Sequence, residues 1–170
     1  HEEADRFAEF ADKIEGYSVS KEGELLEWDR EYEETDKGHR HFSMLFGVYP
    51  GSHLLRGEYA DAARKSLHKR IQNGSGQTGW SAVGAMALLA RFGEGETAYE
   101  IINKLMRENI HENMFGAHPP EFFQIDANFG FTAAICEMLL QEYGGVIRLL
   151  PALLKDMEKG SIRGLKIHSG

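Results

Sequence analysis

The run Trp80-Ser-Ala-Val-Gly-Ala-Met-Ala-Leu-Leu-Ala-Arg-Phe92 is apolar on nearly every side when wound at helical period. A helix of that kind needs neighbours all round, so the chain must wrap it in other helices rather than lay it on a surface. Ala82, Gly84, Ala85 and Ala87 let those neighbours approach closely. Thr78 stands where a side chain would cap its start, and Gly93 where a glycine would end it.

Candidates for the wrapping helices lie on both sides. Glu2 to Glu15 places Phe7, Phe10, Ala11 and Ile14 on one face, and Gly16 ends it. Residues 57 to 73 carry a stripe of Ala60, Ala63, Leu67 and Ile71, while Thr97 to Glu108 carries Ala98, Ile101, Ile102, Leu105 and Met106. Phe129 to Tyr143 is a further, mostly apolar helix stopped by Gly144-Gly145. After it, Val146 to Leu150 favours a strand ended by Pro151, and Ser161 to Ile167 alternates like another. Five or six helices followed by a small β element predict a mainly α fold. The imperfect alternation of amphipathic and fully apolar helices suits part of a two-layer helical toroid better than a four-helix bundle.

Composition narrows the partners. With 42% apolar and 27% charged residues in 170, the chain is globular and of one-domain size. A net charge of -8 excludes nucleic acid and anionic membrane as partners, since both need clustered Lys and Arg. No run approaches the ~18 apolar residues of a span, so no membrane insertion is expected. No signal peptide is visible, and localisation stays open. Cys136, the single cysteine, excludes an internal disulfide and reads as a buried structural thiol. The acidic run Glu31 to Asp36 reads as solvated surface, whereas Glu27 beside Trp28 reads as drawn inward.

Chemistry concentrates in three places. Ala117-His-Pro-Pro-Glu-Phe-Phe-Gln-Ile-Asp-Ala-Asn-Phe-Gly130 holds His118, Glu121, Gln124, Asp126 and Asn128 among stiff prolines and aromatics. It reads either as a site or as a capped helix start. His39-Arg-His-Phe-Ser-Met-Leu-Phe-Gly-Val-Tyr-Pro-Gly51 offers Arg40 as a planar fork for hydroxyl or carboxylate groups, with His41 to donate or accept beside it. No third ligand at helical spacing makes it a metal motif, and HExxH is absent. Gly74 to Gly79 has glycines without the Lys-Ser/Thr ending of a phosphate loop.

These motifs, in order, resemble glycoside hydrolase family 95, the 1,2-α-L-fucosidase family. The resemblance rests on His39 to Gly51, on Thr78-Gly-Trp-Ser81, and on His118-Pro-Pro with Phe123-Gln-Ile-Asp-Ala-Asn-Phe-Gly130; Gly23 to Trp28 and Ile147 to Leu153 look like the family's flanking sequence. It covers roughly residues 20 to 170. It implies a catalytic (α/α)6 barrel followed by a β domain. Residues 1–145 would then be the C-terminal half of the barrel and 146–170 a β-rich linker or the start of the β domain.

The resemblance also implies hydrolysis with inversion, in which one carboxylic acid protonates the leaving oxygen and a carboxylate activates water about 6.5–9.5 Å away. The family's base falls on Asp126, and Arg40, His41 and His118 fall on sugar-binding positions. The acid and the asparagines that assist the base belong to earlier barrel segments, so a missing N-terminal barrel half is the expected partner of this half. Beside a glycan substrate, no metal or organic cofactor is required. Asn128 would hold the loop or the helix start, and Trp80 reads equally as core or as a platform stacked on a sugar face. Glu27 is the in-chain alternative acid. The family is often secreted or cell-envelope associated in bacteria. Three departures stand out: Met44 replaces a histidine, Glu121-Phe122 is inserted, and Ala127 replaces a glycine, which would restrict the backbone. Two other functions fit the same features, a helical-toroid glycoside phosphorylase and a non-catalytic carbohydrate-binding fragment.

Overall fold

The computed structural model describes residues 2–119, 122–157 and 159–167. It is mainly helical, in keeping with part of a helical toroid. The described residues form five α-helices: α1 (Glu2–Ala11), α2 (Ala60–Gln72), α3 (Gly79–Arg91), α4 (Gly95–Glu108) and α5 (Ile125–Leu139). Two antiparallel strand pairs accompany them, β1 (Ala117–His118) with β2 (Phe122–Phe123) and β3 (Leu140–Tyr143) with β4 (Val146–Leu149), besides 3-10 turns at Ser43–Leu45 and His53–Leu55. Among the described residues no helix is long and apolar enough to cross a membrane.

α3 is the centre of the molecule, as its apolar surface requires. Ten of its residues are buried, and it contacts both α4 and α5. The approach to α5 is backbone-close: a Cβ on Gly130 would stand 2.4 Å from Val83 Cγ2, and one on Gly79 would stand 2.5 Å from Ala127 Cβ. α2 buries Ala62, Ala63, Ser66 and Leu67, with Asp61 in its first turn and Lys69 and Arg70 in its last, as the helix dipole favours. α1 is different. Phe7 and Phe10 are exposed, and Ile14 just beyond its end is 76% exposed, so among the described residues nothing covers the amphipathic face.

Several boundaries depart from the sequence reading. α5 begins at Ile125, not Phe129, so Asp126 and Asn128 lie inside its first turn rather than in a loop before it. Ala127 is therefore helical and fully buried, and alanine imposes no backbone restriction there. α5 also ends early, because Leu140 to Tyr143 turns back and pairs antiparallel with Val146 to Leu149. Gly144 and Gly145 both take positive φ, +60° and +70°, which a tight two-residue hairpin turn demands and a continuing helix cannot use. Ser161 to Ile167 forms no strand among the described residues. Within His39 to Gly51 the chain makes a 3-10 turn over Ser43–Leu45. Cys136 is half-buried rather than fully enclosed.

Candidate active site

Three helix ends meet at the start of α3. At the first, Thr78 is extended and its Oγ1 accepts a hydrogen bond from the Ser81 amide at 3.2 Å, the expected N-cap. The next amide in need of a partner, that of Trp80, donates instead to Gln124 Oε1 at 2.8 Å, across to the start of α5. At the second, Gln124 is the extended residue before α5, and its own amide donates to Gly116 O at 2.8 Å. At the third, the segment after α4 is held by Asn109, whose carbonyl accepts from the Ala117 amide at 2.8 Å and whose Nδ2 donates to Gln77 O at 3.1 Å.

Asn128 locks the loop before β1 onto α5. Its Oδ1 accepts from the Gly116 amide at 2.8 Å, and its Nδ2 donates to Met114 O at 2.7 Å. Met114 sits at φ 67°, a conformation a side chain rarely adopts without such a hold. Gly116 has no room for more: a Cβ there would lie 2.3 Å from Ala127 Cβ.

Asp126 is the second residue of α5, exposed, and lines a cavity of about 460 Å³ with His118, Phe122, Phe123, Gln124 and Ile125. No ion pair holds it among the described residues. His118 and Asp126 thus share one space despite the extra residues between them. In the β1–β2 pair His118 stands opposite Phe122; Glu121 lies outside the described residues. Phe115 and Phe123 stack beside it at 4.6 Å between ring centres.

A second cavity, about 630 Å³, is lined by His41, Phe46, Tyr49, Trp80 and Leu88 among others. Trp80 is 46% exposed, so within this chain it is not a core residue. His41 is exposed, edge-on to His39 at 4.9 Å between ring centres. Partial desolvation, then the Arg40 and His39 charges, hold its pKa below 6.5, against the opposing pull of Glu27. Arg40 is exposed and lines neither cavity. Of the candidate residues, His118 and Asp126 therefore line one cavity and His41 and Trp80 the other, while Arg40 and Asn128 line neither.

Glu27 is drawn inward as expected, but to an ion pair: Arg70 Nη2 lies 2.7 Å from its carboxylate, with the Arg70 side chain only 4% exposed. A carboxylate so engaged is not free to protonate a leaving group. The solvated reading of Glu31 to Asp36 holds for Glu31 and Glu33 and fails for Glu34, which pairs with Lys69 at 3.2 Å and Arg70 at 3.3 Å.

Two residues of this region carry more than the sequence reading gave them. Gln124 stood in the polar stretch and received no role, because its side-chain bond runs to the start of α3, 44 residues away in sequence. Asn109 was not singled out, and only its place after a helical stripe ending at Glu108 marks it as a helix end.

Comparison with known proteins bears on this arrangement. Residues 1–139 match the glycosyl hydrolase family 95 catalytic domain. Alpha-L-fucosidase 2 of Arabidopsis thaliana is 39% identical over 93% of this chain and 20% of its own length. Probable alpha-fucosidase A of Aspergillus niger is 30% identical over 91% of the chain and 22% of its own length, and its Aspergillus oryzae counterpart is 30% identical over 91% and 25%. The chain spans a fifth to a quarter of these curated relatives. They come from a plant and two fungi, so the expectation of a bacterial source draws no support from them. A match that runs from α1 to the end of α5 and takes in both groups of candidate residues leaves one assignment: the chain belongs to glycosyl hydrolase family 95.

Proposed function

We propose that this chain supplies the base half of an inverting glycosidase site that cleaves α-L-fucosyl, or closely related L-sugar, linkages in glycans. One observation carries the reading: Asp126 lines a cavity, unpaired among the described residues, on a helix start whose neighbours are held by directed hydrogen bonds. The names of the relatives, alpha-L-fucosidase 2 and probable alpha-fucosidase A, supply the sugar class.

In this mechanism Asp126 accepts a proton from a water molecule, and the water oxygen attacks the anomeric carbon from the face opposite the leaving oxygen. An acid from outside this chain protonates that leaving oxygen as the glycosidic bond breaks. Configuration at the carbon inverts. Trp80 offers an aromatic face to the sugar ring, while Arg40, His41 and His118 bind hydroxyls. The other barrel half, in the same polypeptide, completes the site and covers apolar side chains such as Phe7, Ile14 and Phe129.

The phosphorylase alternative finds no support in the Gly74 to Gly79 loop. Its Gly76 amide donates to Ser81 Oγ at 2.9 Å, and the Ser75 hydroxyl donates to backbone carbonyls, so donors that would hold a phosphate are engaged. The deciding experiment follows the first product of the full-length protein on an α-L-fucoside by NMR. β-L-Fucose appearing before the α anomer is the expected result. The α anomer first would overturn inversion, and fucose binding without hydrolysis would favour the non-catalytic reading.

A further inference from the structure

We infer that Gln124 is a positioning residue that fixes the distance between the aromatic platform Trp80 and the base Asp126; the inference rests on the proposed hydrolase reading. Gln124 occupies the N-cap position of α5, yet its side chain makes no capping bond to that helix. Its Oε1 instead accepts from the Trp80 amide at 2.8 Å, satisfying a donor in the first turn of α3. Trp80 lines one cavity, whereas Gln124 and Asp126 line the other, so this bond crosses from one group of site residues to the other. The main chain of Gln124 is engaged as well: its amide donates to Gly116 O at 2.8 Å and its carbonyl accepts from the Ala127 amide at 3.1 Å. With both ends of its main chain bonded, the side chain works as a strut of set length between two helix starts.

The contacts beneath the strut explain why a polar tie is needed there. Gly79 and Ala127 meet with no room for an added methyl, and a Cβ on Gly79 would stand 3.5 Å from Gln124 Oε1 itself. Packing prevents the helix starts from moving closer, and the amide bond prevents them from moving apart. Loss of the bond frees α5's first turn to shift outward, carrying Asp126 with it. A displacement near 1 Å at a reacting group lowers turnover by about 10²-fold.

The test uses the full-length protein and three variants. Gln124→Ala is expected to lower kcat by about 10- to 100-fold with KM little changed, because the sugar contacts remain while the base is misplaced. Gln124→Glu keeps an acceptor oxygen at the same reach and is expected to restore most of kcat. Unchanged kcat in Gln124→Ala, or a loss that a folded Gln124→Glu does not recover, would overturn the role. If Gln124→Ala does not fold, Gln124→Glu decides alone: near-wild-type kcat supports the strut and an impaired kcat rejects it. Asp126→Asn separates this inference from the reading beneath it. Lost turnover there with a silent Gln124→Ala rejects the strut alone, whereas retained turnover in Asp126→Asn rejects the base assignment.

Discussion

The molecule has two acidic neighbourhoods, and they are built in opposite ways. On one face, Glu24, Glu27 and Glu34 converge on the end of α2, where Lys69 lies 2.5 Å from Glu24 and Arg70 lies 2.7 Å from Glu27. Those carboxylates are matched by cations, and Lys69 has its pKa raised by its bonds to Glu24 and Glu34 in spite of partial desolvation. At the start of α5, by contrast, the bonds go to amides and carbonyls around Asp126 and leave its carboxylate facing a cavity. Charge is used to join loop to helix in the first region and kept available in the second. The acidic cluster with its cations joins parts of the structure, whereas the carboxylate at the start of α5 has the exposure that the proposed base role requires.

The contrast can be broken most directly at Asp126. Asp126→Asn in the full-length protein should lower kcat by about 10²- to 10⁴-fold, the range a general base supplies, while the thermal unfolding midpoint stays put. A matching fall in that midpoint would place Asp126 with the structural acids. The next largest effect belongs to the other neighbourhood. Arg70→Met strands Glu27, leaves Glu34 with Lys69 alone and should cost about 3 kcal/mol of stability, read from the denaturant midpoint, with turnover per folded molecule retained. Stability equal to wild type would show that the cluster is only surface decoration.

A smaller effect is expected at the cap of α3. Thr78→Ala removes the bond to Ser81 and should destabilise by about 1 kcal/mol in the same unfolding assay. A neutral result would mean that Gln124 and the surrounding packing hold the helix start without it.

The smallest effect concerns pH. The folded chain holds His41 below 6.5, so on acidification the unfolded chain takes up the proton first. Its contribution to stability is present above the ordinary histidine range and is lost as pH falls through 6.5 towards the folded midpoint. NMR titration of the His41 ring should give a midpoint under 6.5, and one at or above that value would reverse the sign.

Helix cores were legible in the sequence because their evidence is local. Thr78 capping α3, Gly93 ending it at φ 75°, and the stripe of α2 all follow from residues within a turn or two. Errors arose where tertiary bonds decide. The start of α5 was placed too late because Asp126 and Asn128 look like caps, whereas Gln124 in extended conformation ends the preceding segment. Leu139, Leu140 and Tyr143 continue a helical stripe, yet pairing with Val146 to Leu149 turns the last two into part of a strand. The site shows the same division: Asp126 was visible as a residue in a motif, while the bond from Trp80 to Gln124 joins positions 44 residues apart and has no local trace. Glu27 was expected to turn inward beside Trp28, but Trp28 is 66% exposed and Glu27 is held instead by Arg70, 43 residues on, which the sequence did not show.

The seam between α3 and α5 bears on how the site can breathe. Gly79, Gly116 and Gly130 meet Ala127 and Val83 with too little room for a methyl group. Such contacts have no rotamers to relax into, so sliding of one helix start past the other is resisted. Any opening that admits a substrate then carries both starts together as one block, with the hinge in the loops around them. In hydrogen exchange, the amides of Trp80, Ser81 and Gln124 should open as a single cooperative unit.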